Sequence, residues 1–126
     1  MTPRVLEESH ADMVSSLKKS GAAIRETLTD EKVDAWHGAT GVCTEAGELL
    51  DAAKKFVVYN KPIDRENVIE ELGDLEFYME MVRQSFGITR LETLAGNMTK
   101  LSKRYKDFKY SDQQAHDRAD KTGSGV

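Results

Sequence analysis

The chain has 126 residues, 39% hydrophobic and 32% charged, with a formal net charge of −4. That length suits one domain with a core of its own, and the acidic balance excludes a general binder of nucleic-acid polymers. The lone Cys43 excludes an internal disulfide framework and fits a reducing cytoplasm, while no apolar run near 18 residues and no signal-peptide pattern point to a membrane or to export.

Hydrophobic spacing predicts an all-α chain of four main helices and no strand. Leu6, Met13, Val14, Leu17, Ile24 and Leu28 read as one helix over 5–28, and Thr29-Asp30-Glu31 as the turn into the next. A second helix over 33–59 ends at Asn60-Lys61-Pro62. Gly38 and Gly41 near its start bend it or leave room for a ligand or a neighbouring helix, and Cys43 beside Val42 and Ala46 reads as inert packing. In the third helix, over 65–86, Val68, Leu72, Leu75, Met79, Val82 and Phe86 recur at steps of four and three. So regular a stripe suits a second subunit as well as the chain's own helices. Gly87 reads as a C-terminal cap, and Thr89-Arg90-Leu91-Glu92 as a capping box opening a fourth helix that runs to 103–105. The domain so defined covers 1–118, and residues 119–126, small and polar, read as a disordered tail.

The second and third helices carry one five-residue word twice, Glu45-Ala46-Gly47-Glu48-Leu49 and Glu71-Leu72-Gly73-Asp74-Leu75. Positions i and i+3 share a helix face, so each word sets two carboxylates side by side. Their repulsion and a mid-helix glycine, worth about 1 kcal/mol against alanine, both weaken the helix. A solvated surface accounts readily for one such pair. For the doubled word a shared task accounts better, because four hard oxygen donors on two facing helices suit magnesium. Gly47 and Gly73 would then let the backbones approach until the four acids meet. Glu71 and Asp74 border the apolar stripe, where an acid is costly without a partner, whereas Glu66, Glu70 and Glu80 read as solvated.

Between 100 and 110 the charge reverses: Lys100, Lys103, Arg104, Lys106 and Lys109 face one acid, Asp107. Cations at a helix C-terminus favour its dipole. Lys100 and Arg104, one turn apart, also make a polyphosphate clamp, to which Lys54 and Lys55 add. Trp36 and His37 read either as a packed ring with a surface histidine or as a nucleobase contact. A di-iron carboxylate bundle wants Glu-x-x-His on two helices; Glu7 to His10 supplies one, and Asp34 to His37 only an aspartate version.

Glu45-x-x-Glu48, a gap of 22 residues and Glu71-x-x-Asp74, followed by Asn97-Met98-Thr99-Lys100-Leu101 and Lys103-Arg104-Tyr105, resemble the MazG-like all-α nucleoside triphosphate pyrophosphohydrolases and their dUTPase and dCTPase relatives. The resemblance covers 33–118. It implies an oligomeric four-helix bundle, dimer or tetramer, that hydrolyses a (deoxy)nucleoside triphosphate to monophosphate and pyrophosphate with Mg2+, for which Mn2+ can substitute. Glu45, Glu48, Glu71 and Asp74 would hold the metal, with Glu45 or Glu48 orienting the attacking water. Lys100 and Arg104 would bind phosphate, joined by Lys55; His37 and Tyr78 would stand near the nucleoside. The reading from another class is a catalytically silent oligomerisation or regulatory module.

Overall fold

The computed structural model describes residues 1–121, and every regular element among them is helical. The chain divides into two compact units, Met1–Val33 and the chain from Asp34 on. In the first, α1 (Pro3–Leu17) is capped by Thr2, whose side chain accepts from the Val5 N–H, with proline in its first turn. The single helix expected over 5–28 is in fact two. Lys18 adopts an extended backbone, and Ser20 caps a new helix, α2 (Gly21–Thr27), by accepting from the Ala23 N–H at 3.1 Å. The apolar spacing runs across this break, which is why the pattern conceals it.

α3 (Asp30–Val57) opens at Thr29, whose hydroxyl accepts from the Lys32 N–H at 3.2 Å. Its 28 residues extend about 42 Å, with Asp30 and Glu31 in the first turn and Lys54 and Lys55 in the last, as the helix dipole favours. Asn60 takes a left-handed backbone (φ 50°) in the loop beyond it. Asp64 then caps α4 (Arg65–Phe86) by accepting from the Asn67 N–H at 3.1 Å. α4 stops at Gly87, in the left-handed region (φ 64°); the Gly87 N–H donates to Gln84 and the Ile88 N–H to Arg83 at 2.9 Å, which satisfies the last carbonyls. The capping box is formed as read: Glu92 Oε2 accepts from the Thr89 N–H at 2.7 Å and Thr89 Oγ1 from the Glu92 N–H at 3.1 Å. It opens α5 (Arg90–Arg104), beyond which lie a 3-10 turn (Lys106–Phe108) and α6 (Asp112–Asp117).

α3 and α4 run antiparallel. Gly38 lies against Val82, Gly41 against Tyr78, Glu45 beside Glu71 and Asp74, and Ala52 shares a cavity wall with Asn67. A Cβ on Gly41 would overlap the Tyr78 ring, and one on Gly38 would stand 2.8 Å from Val82 Cγ2. Of the three uses read for these glycines, room for a neighbouring helix is the one the structure shows. The glycines of the acid words behave differently: around Gly47 and Gly73 the space is open, so they are not what brings these two backbones together.

Little of the apolar surface is covered. Apart from glycine, Ala52 is the only buried apolar residue among those described. Along the α4 stripe, Val68, Leu75, Met79 and Val82 are half-buried, while Leu72 and Phe86 stay exposed. Cys43, expected to pack, is exposed, because it lies off the α3 face that meets α4. Arg83 is buried at 8% exposure, its Nε donating to Glu80 at 2.8 Å, so Glu80 is not the free surface acid expected. No helix among the described residues is long and apolar enough to cross a membrane.

Candidate metal centre

The tight crossing at Gly38 and Gly41 fixes which side chains meet one turn further along each helix. From Gly41 one turn forward is Glu45; from Tyr78 one turn back is Asp74, with Glu71 three residues before it. Glu45, Glu71 and Asp74 each present a carboxylate oxygen, all within 4.8 Å of one another. Glu45 and Glu71 are half-buried and Asp74 exposed, so the group opens to solvent on one side.

Such a cluster is unfavourable as it stands. Glu71 Oε2 is shut off from solvent and has no hydrogen-bond partner when the acids are ionised, since a carboxylate only accepts. Protonation relieves it by letting Glu71 donate to Glu45. That bond, then burial, then the charges of Glu45, Glu48 and Asp74 push the Glu71 carboxyl above the ordinary carboxylate range. A divalent cation meets the same need without a proton: it gives the orphaned oxygen a partner and turns the repulsion into attraction. The all-oxygen donor set suits Mg2+ or Mn2+. Glu48, exposed on the same helix, is near enough for its charge to act on Glu71, although its oxygens are outside the close group of three.

The residues read as substrate contacts divide. Tyr78 is half-buried on Gly41, with the His37 ring 6.1 Å from its own and tilted by 54°. These two rings therefore share one end of the acid cluster. Trp36, 70% exposed, has its indole open to stacking and is not a packed ring. Lys55, at the other end, is ion-paired to Asp51 at 2.8 Å; this pairing holds Asp51 below the usual carboxylate range and raises the Lys55 ammonium. Lys54 instead lies over the Tyr59 ring at 5.5 Å.

The basic end is engaged elsewhere. Arg104 donates from Nε to Asp120 Oδ1 at 2.8 Å and from Nη2 to Oδ2 at 3.3 Å, with the two side chains 17% and 2% exposed. Among the described residues no hydrogen bond or ion pair joins Lys100 or Arg104 to the four acids. Ala119 and Asp120, expected to begin a disordered tail, form a turn with Asp120 held by this pair. The rest of that expected tail, 122–126, lies outside the described residues.

Sequence reading missed Asp51, Lys61, Asn67, Arg83 and Asp120. Only Asp51 carried a local signal, four residues before Lys55 on one helix face. An apolar cavity of about 420 Å3, lined by Ala39, Val42, Met79, Val82, Arg83, Ile88 and Thr93, contains none of the four acids. No family model, no curated protein and no solved structure matches the chain.

Proposed function

We propose that the chain is a Mg2+-dependent nucleoside triphosphate pyrophosphohydrolase acting as a homo-oligomeric helical bundle. The observation that carries this reading is the convergence of Glu45, Glu71 and Asp74 around a carboxylate oxygen that lacks a partner. The resemblance of the two acid words to the MazG-like motif supplies the reaction class. Glu45, Glu48, Glu71 and Asp74 would hold the metal, with Mn2+ able to replace Mg2+. When bound, the cation polarises the α-phosphate and offsets charge on the leaving pyrophosphate.

The chain's own residues do the rest. Glu48, exposed beside Glu45, orients a water against the α-phosphorus and accepts its proton. The water oxygen bonds to that phosphorus as the bond to the α–β bridging oxygen breaks, and the electron pair leaves with pyrophosphate. Tyr78 and His37 face the nucleoside at one end of the acids, with Trp36 offering an open ring for stacking. Lys55 faces the phosphates at the other. Lys100 and Arg104 join as phosphate ligands only if Arg104 leaves Asp120.

The oligomer is supported by the exposed apolar residues of α4 and α5, among them Ile69, Leu72, Phe77, Leu91, Leu94 and Met98, which have no cover within the described chain. The same surface is what favours the second reading, a silent oligomerisation module. The converging donors include no histidine, which gives the di-iron reading no support.

Pyrophosphate release from a panel of canonical, deoxy and modified nucleoside triphosphates, with Mg2+ and with chelator, tests the reading. Chelator-sensitive turnover is expected, falling at least about a hundredfold in Glu48→Ala and Asp74→Ala proteins that keep their helix content. No turnover from folded, Mg2+-loaded protein would transfer support to the silent module.

A further inference from the structure

We propose that the cavity between the end of α3 and the start of α4 is a diphosphate subsite, in which Lys61, Asn67 and Lys55 take the two distal phosphates of a nucleoside triphosphate and retain pyrophosphate as it leaves. The inference rests on the pyrophosphohydrolase reading and gives the substrate its direction across the acids.

The cavity holds about 280 Å3 and is lined by Ala52, Lys55, Lys61, Pro62, Asp64 and Asn67. Ala52 is one turn beyond Glu48 on α3, and Asn67 one turn before Glu71 on α4. The space therefore adjoins the acid cluster at about 6 Å along each helix, on the side away from His37 and Tyr78. A triphosphate spanning that direction has its nucleoside at the rings, its α-phosphate at the acids and its β- and γ-phosphates in this cavity.

The donors are in place for such a guest. Asn60, in its left-handed conformation, turns the chain so that the Lys61 N–H donates to the Lys55 carbonyl at 3.1 Å, which fixes the two lysine backbones together. Neither the Lys61 ammonium nor the Asn67 carboxamide has a hydrogen-bond or ion-pair partner among the described residues. Ala52, buried and small, leaves the floor of the cavity open. Three acids stand nearby, for the charges of Asp51, Glu48 and Asp64 all act on the Lys55 ammonium, and Glu48 belongs to the acid words. Asp64 accepts from the Asn67 N–H as the helix cap, and Asp51 is paired with Lys55, so Lys61 is the first cation available to an anion. The alternative clamp is less available, because Arg104 is paired with a nearly enclosed Asp120.

Calorimetry with inorganic pyrophosphate and Mg2+, paired with product-inhibition kinetics, tests the subsite. Lys61→Ala and Asn67→Ala should each weaken pyrophosphate about tenfold, the loss of one hydrogen bond to an ionised group. Inhibition by the nucleoside monophosphate should stay unchanged, and Lys61→Arg should restore pyrophosphate binding. Circular dichroism checks the fold of each variant. Turnover with wild-type pyrophosphate inhibition in both alanine variants overturns the subsite and leaves the reaction standing. A loss seen in Lys100→Ala instead also overturns it, in favour of the basic end of α5. Absence of turnover in the wild-type protein overturns the reaction and the subsite together.

Discussion

Four glycines of α3 and α4 form two pairs that do opposite things. Gly38 and Gly41 are buried, and the Tyr78 and Val82 side chains occupy the space a methyl group would take. Gly47 and Gly73, inside the repeated acid words, have open space where a Cβ would go. The first pair sets how closely α3 and α4 approach, and through the next turn it sets where the carboxylates meet. The second pair weakens its helices without closing any gap between them. A glycine that looks expensive in sequence is thus not the one on which the crossing depends.

Substitution separates the pairs. Gly41→Ala should have the largest effect, destabilising the fold by about 1–3 kcal/mol in chemical denaturation, because Tyr78 must leave its seat. Gly38→Ala should cost less than Gly41→Ala but still destabilise, since the new methyl meets Val82 Cγ2 at 2.8 Å and the Val82 backbone nitrogen at 3.2 Å, while the helix gains from alanine. Gly47→Ala and Gly73→Ala should instead stabilise by up to about 1 kcal/mol through helix propensity alone. A loss at Gly73 that grows with protein concentration would show this glycine packing against a second copy, and the contrast would then be between contacts within and between chains.

The acids sharpen the same contrast. Glu71→Gln removes one of three crowded charges and supplies a donor for Glu45, so the metal-free protein should melt at a higher temperature in chelator. Added Mg2+, which should raise the melting temperature of the wild-type protein, should do so much less for this variant. The smallest effect is expected at Asp120→Asn. Arg104 holds the Asp120 carboxyl below its ordinary value of 3.8. A depressed carboxylate contributes fully above its unfolded pKa and loses that contribution as pH falls through the folded one. Wild type and variant should therefore differ at neutral pH and converge below pH 3.8 in acid titrations followed by circular dichroism.

How much could be read from sequence depends on how local each cause is. The Thr89–Glu92 box and the Gly87 stop act within one turn, and both are found where the residues put them. The acid words declare their helix faces, and three of the four acids converge. The seat of Tyr78 on Gly41 was hidden because its two halves are 37 positions apart. Lys61 gave no periodic signal in a loop. Asp120 looked like part of a polar tail because its partner is 16 residues back in the chain. The break at Lys18–Ser20 was masked by apolar residues that keep helical spacing on both sides of it.

The Arg104–Asp120 pair has a kinetic side as well. The backbone it spans carries three non-glycine residues in left-handed conformations, Asp107, Phe108 and Arg118, at φ between 49° and 55°. Such conformations persist only where surrounding contacts hold them, and here Gln114 Oε1 accepting from the Lys106 N–H is a second restraint. Residues from Tyr105 to Asp120 should therefore open as a unit, below the threshold for global unfolding. Amide exchange there should accelerate together in Asp120→Asn while the middle of α4 stays protected, and a protease should make its first cuts within this segment.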